Sequence, residues 1–401
     1  MSLINLGLDI RRLYEDQGGD VGKMKRRLAE FMDEDLMKAK GRKPIDCNDW
    51  SIKEIWDFCE ELKLQESVDV SQFPIITATL VEKKVIANFD SFPGIGDRLV
   101  EEFPSTLELS RIPGADLTSN MRDIEAGMPY HADADIAEKY VTIEGKKRGD
   151  ILYITEEAIL HDQTGLVLRE AGRFGLQAAQ DREKKIMYNI QDATVNNVNY
   201  YAYRPSGTRV ALYSGTVAGT HPYSNLIDNA LQHWTDLDAA KTQFTTMRDA
   251  QGEPIMIEPK ILLVPKALET VAKRLIQNTL LPAGRIGQTV VGDSPMEANP
   301  FSSAYEVLSS PYLDIVSTRY WYLGDFKRQF LLKSVYPLQV LTRNDKLNDM
   351  AWERDIVAQF KVRYWQEPGA TQYEYVVKSR GTYGTCGTSS YCSSWDEAAV
   401  P

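Results

Sequence analysis

The densest group of potential ligands in the chain is His131-Ala132-Asp133-Ala134-Asp135, where alternation along an extended strand would turn one imidazole and two carboxylates to the same side, an arrangement that suits a divalent metal. A metal-dependent hydrolase built on it would need a distant fourth ligand and groups that orient the first three, and no motif around it supplies them. The bland reading, a solvated polar loop, fits the same five residues. The other histidines, His161, His221 and His233, are scattered, and none lies in a GxSxG elbow, an HExxH helix or a Cys/His nucleophile pattern. His161, just ahead of a long helical pattern, suits capping or packing. Gly94-Ile95-Gly96 lacks the third glycine, the Lys and the Ser/Thr of a phosphate loop and reads as a turn. Cys47, Cys59, Cys386 and Cys392 match no CxxC pair and read as reduced and structural. No catalytic residue, metal site or cofactor is expected.

Composition narrows the classes further. A chain of 401 residues, 43% hydrophobic and 26% charged, can bury a sizeable core and suggests two or three domains. The balance of 46 Lys+Arg against 57 Asp+Glu, net −11, opposes non-specific attraction to nucleic-acid phosphates or anionic lipid, so the seven Trp and twenty Tyr read as packing rather than base-stacking groups. No run approaches the ~20 apolar residues of a membrane helix and no apolar leader opens the chain, so a cytosolic protein is expected.

The elements that must carry these groups follow from periodicity. Residues 1–70 read as a helical arm: Asp20 caps a stretch with Val21, Met24, Leu28, Phe31 and Leu36 at helical spacing, and Ser51 to Glu54 is a capping box ahead of Ile55, Cys59 and Leu62. β-branched runs at 75–80 and 83–89 predict strands. Two strand-like flanks, 106–112 and 140–154, enclose a long polar segment, 113–139, that makes a poor core. A two-stranded hairpin is marginal alone in water, so a projection of this length needs a surface to lie on. A proline-free helix is predicted over 166–190, with the small residues Ala171, Gly175, Ala178 and Ala179 on one face and an i,i+4 pair between Asp181 and Lys185. Beyond it, 224–237 reads as a helix, 261–264 as a buried strand leading through Pro265 into a helix at 266–277, and 280–300 as a Gly/Pro-rich loop. Strand-like runs follow at 305–308, 314–323, 329–334 and 338–341, and 350–365 returns toward the long helix. The segment 381–394 has no charge and no aliphatic residue, so contacts with other copies are expected to hold the tail.

Three stretches in this order carry a likeness. GDILYITEEAILHD (149–162) entering the long helix, ILLVPKALE (261–269), and WYLGD (321–325) with 330–341 and WERD (352–355) resemble the Hong Kong 97-type major capsid protein of tailed bacteriophages over roughly residues 70 to 380. The resemblance implies an α+β capsid fold with an N-terminal arm (1–70), the start of a peripheral domain (71–105), an extended β-hairpin loop (106–154), the spine helix of the peripheral domain (155–194), an axial α/β domain (195–320), a return to the peripheral domain (321–380) and a tail (381–401). It implies a structural protein that assembles with itself into homo-hexamers and homo-pentamers, an icosahedral shell enclosing double-stranded DNA without sequence-specific binding, in the virion after assembly in the host cytoplasm. Portal, scaffolding and decoration proteins are the further partners such shells take; no membrane is involved. Encapsulins, which enclose cargo enzymes, share the fold and are the alternative. Some relatives weld their shells between a loop lysine and a neighbour's asparagine; Lys139, Lys146, Lys147, Asn344 and Asn348 lie in comparable regions, with no motif assigning them that role. Some also lose an N-terminal segment to a protease, and this chain is expected to keep its own.

Charges along the projection alternate in sign: Arg111, Asp116, Arg122, Asp123, Glu125, Lys139, Glu144, Lys146, Lys147 and Arg148. These are the candidate subunit-interface residues, several of them expected to pair across subunits, where charge fixes register more than it adds affinity.

Overall fold

The computed structural model describes residues 73–106, 109–117, 136–155, 157–158, 161, 166–215, 224–248, 253–282, 296–343 and 354–381. The expected N-terminal arm, the four cysteines, His221, the 131–135 cluster, Asn344, Asn348 and the tail lie outside them.

The chain runs through α1 (Phe73–Asp90), α2 (Gly96–Leu99), β1 (Glu101–Pro104), β2 (Leu109–Leu117), β3 (Ile136–Glu144), β4 (Arg148–Thr155), α3 (Leu166–Gln191), β5 (Thr194–Val195), β6 (Val198–Asn199), β7 (Leu226–Ile227), α4 (Trp234–Thr245), β8 (Ile261–Pro265), α5 (Glu269–Gln277), β9 (Leu280–Pro282), β10 (Met296–Ala298), β11 (Glu306–Ser310), α6 (Pro311–Asp314), β12 (Trp321–Gly324), α7 (Phe326–Gln329), β13 (Phe330–Arg343), β14 (Ile356–Ala370) and β15 (Val376–Ser379). It divides into two compact units, one of Met1–Gly94, Lys146–Arg182 and Tyr336–Gln366, the other of Ile95–Gly145, Glu183–Val335 and Glu367–Pro401. Mixed helix and sheet is what the α+β expectation requires.

In the first unit, β4 lies antiparallel against β14. Alternation buries one side of this pair, Ile154 with Ala358, Phe360, Val362 and Tyr364. The hydroxyl of Tyr364 donates to Asp181 on α3, which bears out the return of the 350–365 segment to the long helix. That helix spans 26 residues, as its spacing predicts. Its small residues meet α1 at backbone distance: a Cβ on Gly175 would sit 2.0 Å from the Val85 carbonyl oxygen, and one on Gly172 would sit 2.4 Å from Asn88 Nδ2.

In the second unit a five-stranded sheet runs β11-β8-β12-β15-β7, parallel at β11/β8 and β15/β7 and antiparallel around β12. Its centre is dry: Leu262, Leu263, Val264, Trp321, Tyr322 and Leu323 have no accessible surface. The strand, proline and helix expected at 261–277 are β8, a short 3₁₀ turn and α5. The buried amide of Asn225 ties this core together, donating to the carbonyls of Leu212 and Tyr373 and accepting from Ser214 N–H.

Several expectations are corrected. The strands expected at 75–80 and 83–89 are one helix, α1. β-branching lowers helix propensity only slightly, Pro74 sits harmlessly in the first turn, and Val81, Lys84 and Val85 are buried at helical spacing, so packing on α3 outweighs local preference. The helix expected at 224–237 starts at Trp234 instead, because His233 and Asp236 form a capping box there that a Ser/Thr-based pattern does not reveal. Within 314–323 only Trp321 onward is strand, preceded by α6 with Pro311 in its first turn. The runs 329–334 and 338–341 merge into β13, and the 280–300 loop contains the antiparallel arms β9 and β10. Asp181 and Lys185 do not pair with each other: Arg148 holds Asp181, and Lys185, nearly buried, holds Glu367.

The close approach of α3 to α1 gives a direct test. Gly175→Ala places a methyl group inside contact distance of the Val85 carbonyl and is expected to destabilise the protein by about 1–3 kcal/mol, read as a lower midpoint in chemical unfolding of the purified subunit. Ala178→Gly, on the same face without that clash, should cost no more than about 1 kcal/mol.

Candidate subunit interface

β2 and β3 pair antiparallel over nine consecutive positions, from Leu109↔Glu144 to Leu117↔Ile136, and no third strand joins them among the described residues. The hairpin read from the sequence is therefore present, with strands that extend several residues into the segment expected to be loop. Only its root is built into the second unit. Val141, Thr142 and Ile143 are buried, Thr142 N–H donates to the Arg204 carbonyl, Ser206 N–H donates to the Tyr140 carbonyl, and Val141 bridges to Pro205. The buried ammonium of Lys333 reaches the Ile143 carbonyl at 3.3 Å, and Ile143 lies where a side chain at position 369 would be, 2.7 Å from a Cβ that Gly369 lacks. Beyond Tyr140 the described rungs pair only with one another.

The candidate residues divide by position. Arg111 is exposed on β2 with its guanidinium 5.1 Å over the Tyr140 ring. Asp116 stands opposite Ala137 and Lys139 opposite Gly114 in the ladder. Lys146 and Lys147 are exposed in the turn before β4. Glu144 accepts from Arg204 at 2.6 Å, and Arg148 donates to both carboxylate oxygens of Asp181 at 2.8 and 2.6 Å, so these two charges already have partners in their own chain. Arg122, Asp123 and Glu125 lie outside the described residues, as do His131, Asp133 and Asp135.

Sequence reasoning missed the groups that fix the root, Arg204, Lys333 and Gly369, since nothing local marks residues this far away in the chain, 60 positions for Arg204 and 190 for Lys333, as a socket. It also missed how the Gly94-Ile95-Gly96 turn is used. Ile95 and Gly96 N–H groups donate to the Glu183 carboxylate at 3.1 and 2.8 Å, so the anion this loop binds is a side chain of its own chain, at the start of α2.

Groups with displaced titration are structural. Lys378 donates to the Gln191 carbonyl at 2.8 Å at the end of α3, with its ammonium 4.9, 5.1 and 5.8 Å from the ring centres of Tyr320, Tyr213 and Tyr322. Burial pushes it down to about 8 against the pull of Asp192, while Arg380 adds to the lowering. Burial likewise raises the Tyr213 and Tyr322 phenols well above the ordinary tyrosine range. Glu269 is held down to about 2 by hydrogen bonds from Lys266 and Lys273 on the surface of the helix start. Among the described residues no group of His, Cys, Asp and Glu is placed to hold a metal ion, and no helix is long and apolar enough to cross a membrane.

Comparison with known proteins follows this geometry. The family of phage capsid proteins matches residues 139–379, well over half of the chain. Solved structures with a similar course include the capsid of cyanophage P-SCSP1u, with 12% identity over 70% of this chain and 85% of that one at a TM-score of 0.43. Gordonia phage Cozz gives 12% identity over 71% and 85% at 0.45, and the mature capsid of bacteriophage PhiM1 gives 10% over 72% and 87% at 0.42. No curated protein matches the chain.

Lys378 yields a pH test whose sign is fixed by linkage. The unfolded chain keeps this proton up to 10.5 while the folded chain releases it at about 8, so between those values unfolding takes up a proton and stability climbs with pH. Relative to Lys378→Met, the natural protein should gain on the order of 1 kcal/mol per pH unit from pH 8 toward 10, measured by denaturant unfolding of both proteins across that range. Parallel pH profiles for the two would rule the assignment out.

Proposed function

We infer that this chain, which belongs to the phage capsid protein family through residues 139–379, forms the shell of a virion from many copies of itself. It is a structural protein and not an enzyme, and the family match favours a phage head over a cargo-enclosing compartment. The finer reading is that the copies gather into hexamers and pentamers of an icosahedral, Hong Kong 97-type shell assembled in the host cytoplasm around double-stranded DNA. Portal, scaffolding and decoration proteins would complete the particle. A net charge of −11 suits a wall that encloses a polyanion without adhering to it.

The observation that carries this reading beyond the family is the ribbon of β2 and β3, nine rungs with no third strand among the described residues. A lone two-stranded ribbon is marginal in water, and a shell subunit gains interface area from such arms without enlarging its body. In a shell the alternating charges Arg111, Asp116, Arg122, Asp123, Glu125, Lys139, Lys146 and Lys147 would set the register between neighbours, while Glu144 and Arg148, already paired at home, hold the ribbon's root and the next strand.

The purified protein is expected to run on size exclusion as large shells or as rings of five and six copies, visible by negative-stain microscopy; a small discrete oligomer under all assembly conditions would end the proposal. Within that assay Arg122→Glu should lower shell yield several-fold with an unchanged circular dichroism spectrum, and an undiminished yield would remove Arg122 from the interface.

A further inference from the structure

Among the described residues, the backbone bonds that join the ribbon to the rest of the second unit come from β3. Thr142 N–H donates to the Arg204 carbonyl at 3.1 Å, Ser206 N–H donates to the Tyr140 carbonyl at 2.9 Å, and Val141 bridges to Pro205. Two residues much further along the chain close on the next position, Ile143. The ammonium of Lys333, a residue 1% exposed, donates to the Ile143 carbonyl at 3.3 Å. The bare Gly369 makes room for the side chain: a Cβ there would stand 2.7, 2.8 and 3.3 Å from Cδ1, Cγ1 and Cγ2 of Ile143. Next to Gly369, Ala370 N–H donates to the Ala202 carbonyl at 3.0 Å and Ala370 bridges to Tyr203, so the two sides of the grip are braced against each other. All of these groups belong to the second unit.

We propose that Lys333 and Gly369 are positioning residues for assembly: acting through Ile143, they fix the angle at which the ribbon leaves the second unit, and with it the angle at which successive copies join. The inference rests on the shell reading and adds which residues govern the closure of the shell. Both residues are buried, so their effect passes through β3 and not through contact with a neighbour. Leverage makes the root decisive. At ~3.4 Å per residue, the described stretch from Lys139 back to Ile136 reaches ~14 Å beyond Tyr140, so a tilt of ~10° at the root moves its end by ~2 Å. A hydrogen bond or ion pair between copies does not survive a displacement of that size. A methyl group at position 369 would have to push Ile143 by about 1 Å to reach ordinary contact, enough to turn the ribbon on its three backbone attachments. Rings and shells close only when the rotation per copy repeats, so a changed exit angle changes what the copies build.

Reconstruction of the natural shell by electron microscopy is the first test. Residues 140–144 are expected to keep one course against 204–206, Lys333 and Gly369 in every subunit, with any bending of the ribbon confined to positions beyond Tyr140. A root whose angle differs from subunit to subunit overturns the proposal. Variants supply the second test, read as the diameters of assembled particles by negative-stain microscopy and mass photometry. Gly369→Ala is expected to shift that distribution and to cut the share of closed shells of natural size at least fivefold. The control is Gly324→Ala on β12, where a Cβ would come 2.2 Å from the Tyr375 carbonyl oxygen in the five-stranded sheet, which takes no part in the root. It should lower the unfolding midpoint and the yield and leave the diameters as they are. An unchanged distribution for Gly369→Ala, whatever its yield, or the same shift from Gly324→Ala, refutes the positioning role while leaving the shell reading intact. Natural protein that never forms shells refutes the shell reading itself. Should Gly369→Ala fail to fold, Lys333→Met, which keeps the bulk and removes the donor, takes its place with the same expected shift.

Discussion

A β-ribbon two strands wide cannot satisfy its outer backbone groups or shelter its side chains, and most of what is distinctive in this structure follows from carrying one nine rungs long. The ribbon is made tolerable at one end. Three consecutive residues, Val141 to Ile143, are buried and hydrogen-bonded to the 204–206 segment and to Lys333, so the direction in which it leaves the second unit is set by contacts far away in sequence. Burying the Lys333 ammonium is expensive unless its donors find acceptors, and the Ile143 carbonyl is one it finds. The charge is thereby spent on fixing a direction rather than on chemistry.

The same economy explains where three other charges lie. Glu183 closes the turn at Ile95 and Gly96, Lys185 holds Glu367, and Lys378 closes the end of α3 from within a tyrosine cage. Each joins segments distant in sequence. In an enzyme such buried charges would face a cavity and a substrate. Here they face backbone carbonyls, backbone N–H groups and one another, which is the pattern of a protein whose task is to hold a shape.

Local signals were readable and long-range ones were not. The 26-residue α3 and its small face, the β8–Pro265–α5 sequence and the hairpin flanks all follow from periodicity and turn chemistry. α1 was misread because its β-branched residues look like strand until Val81, Lys84 and Val85 are seen to be buried together against Gly172 and Gly175. The start of α4 was misread because the cap is a histidine. At the interface, alternating charge was visible along the ribbon, but the sequence could not say that Glu144 belongs to Arg204 and Arg148 to Asp181. Nor could it reveal that Tyr153 stands opposite Gln359 and Gly149 opposite Arg363, since β4 and β14 pair across some 200 residues.

A shell contact in which a ribbon of one copy meets a different surface of the next has a geometric consequence that a symmetric patch would not have. A two-fold pair can satisfy such a contact by exchanging ribbons reciprocally; where the contact is not reciprocal, every copy that offers its ribbon leaves its own receiving surface open for another. Such head-to-tail contacts close into rings if the rotation per copy divides a full turn and otherwise run on as filaments. A ribbon fixed firmly at its root is then an advantage, because the rotation per copy must repeat closely for a ring to close, and a ribbon that swung freely would let the chain go on adding copies. The buried anchorage at Val141 to Ile143 and the rungs beyond it, which among the described residues pair only with one another, are two halves of one requirement: the near end must be stiff for the far end to find the next copy at the same angle each time.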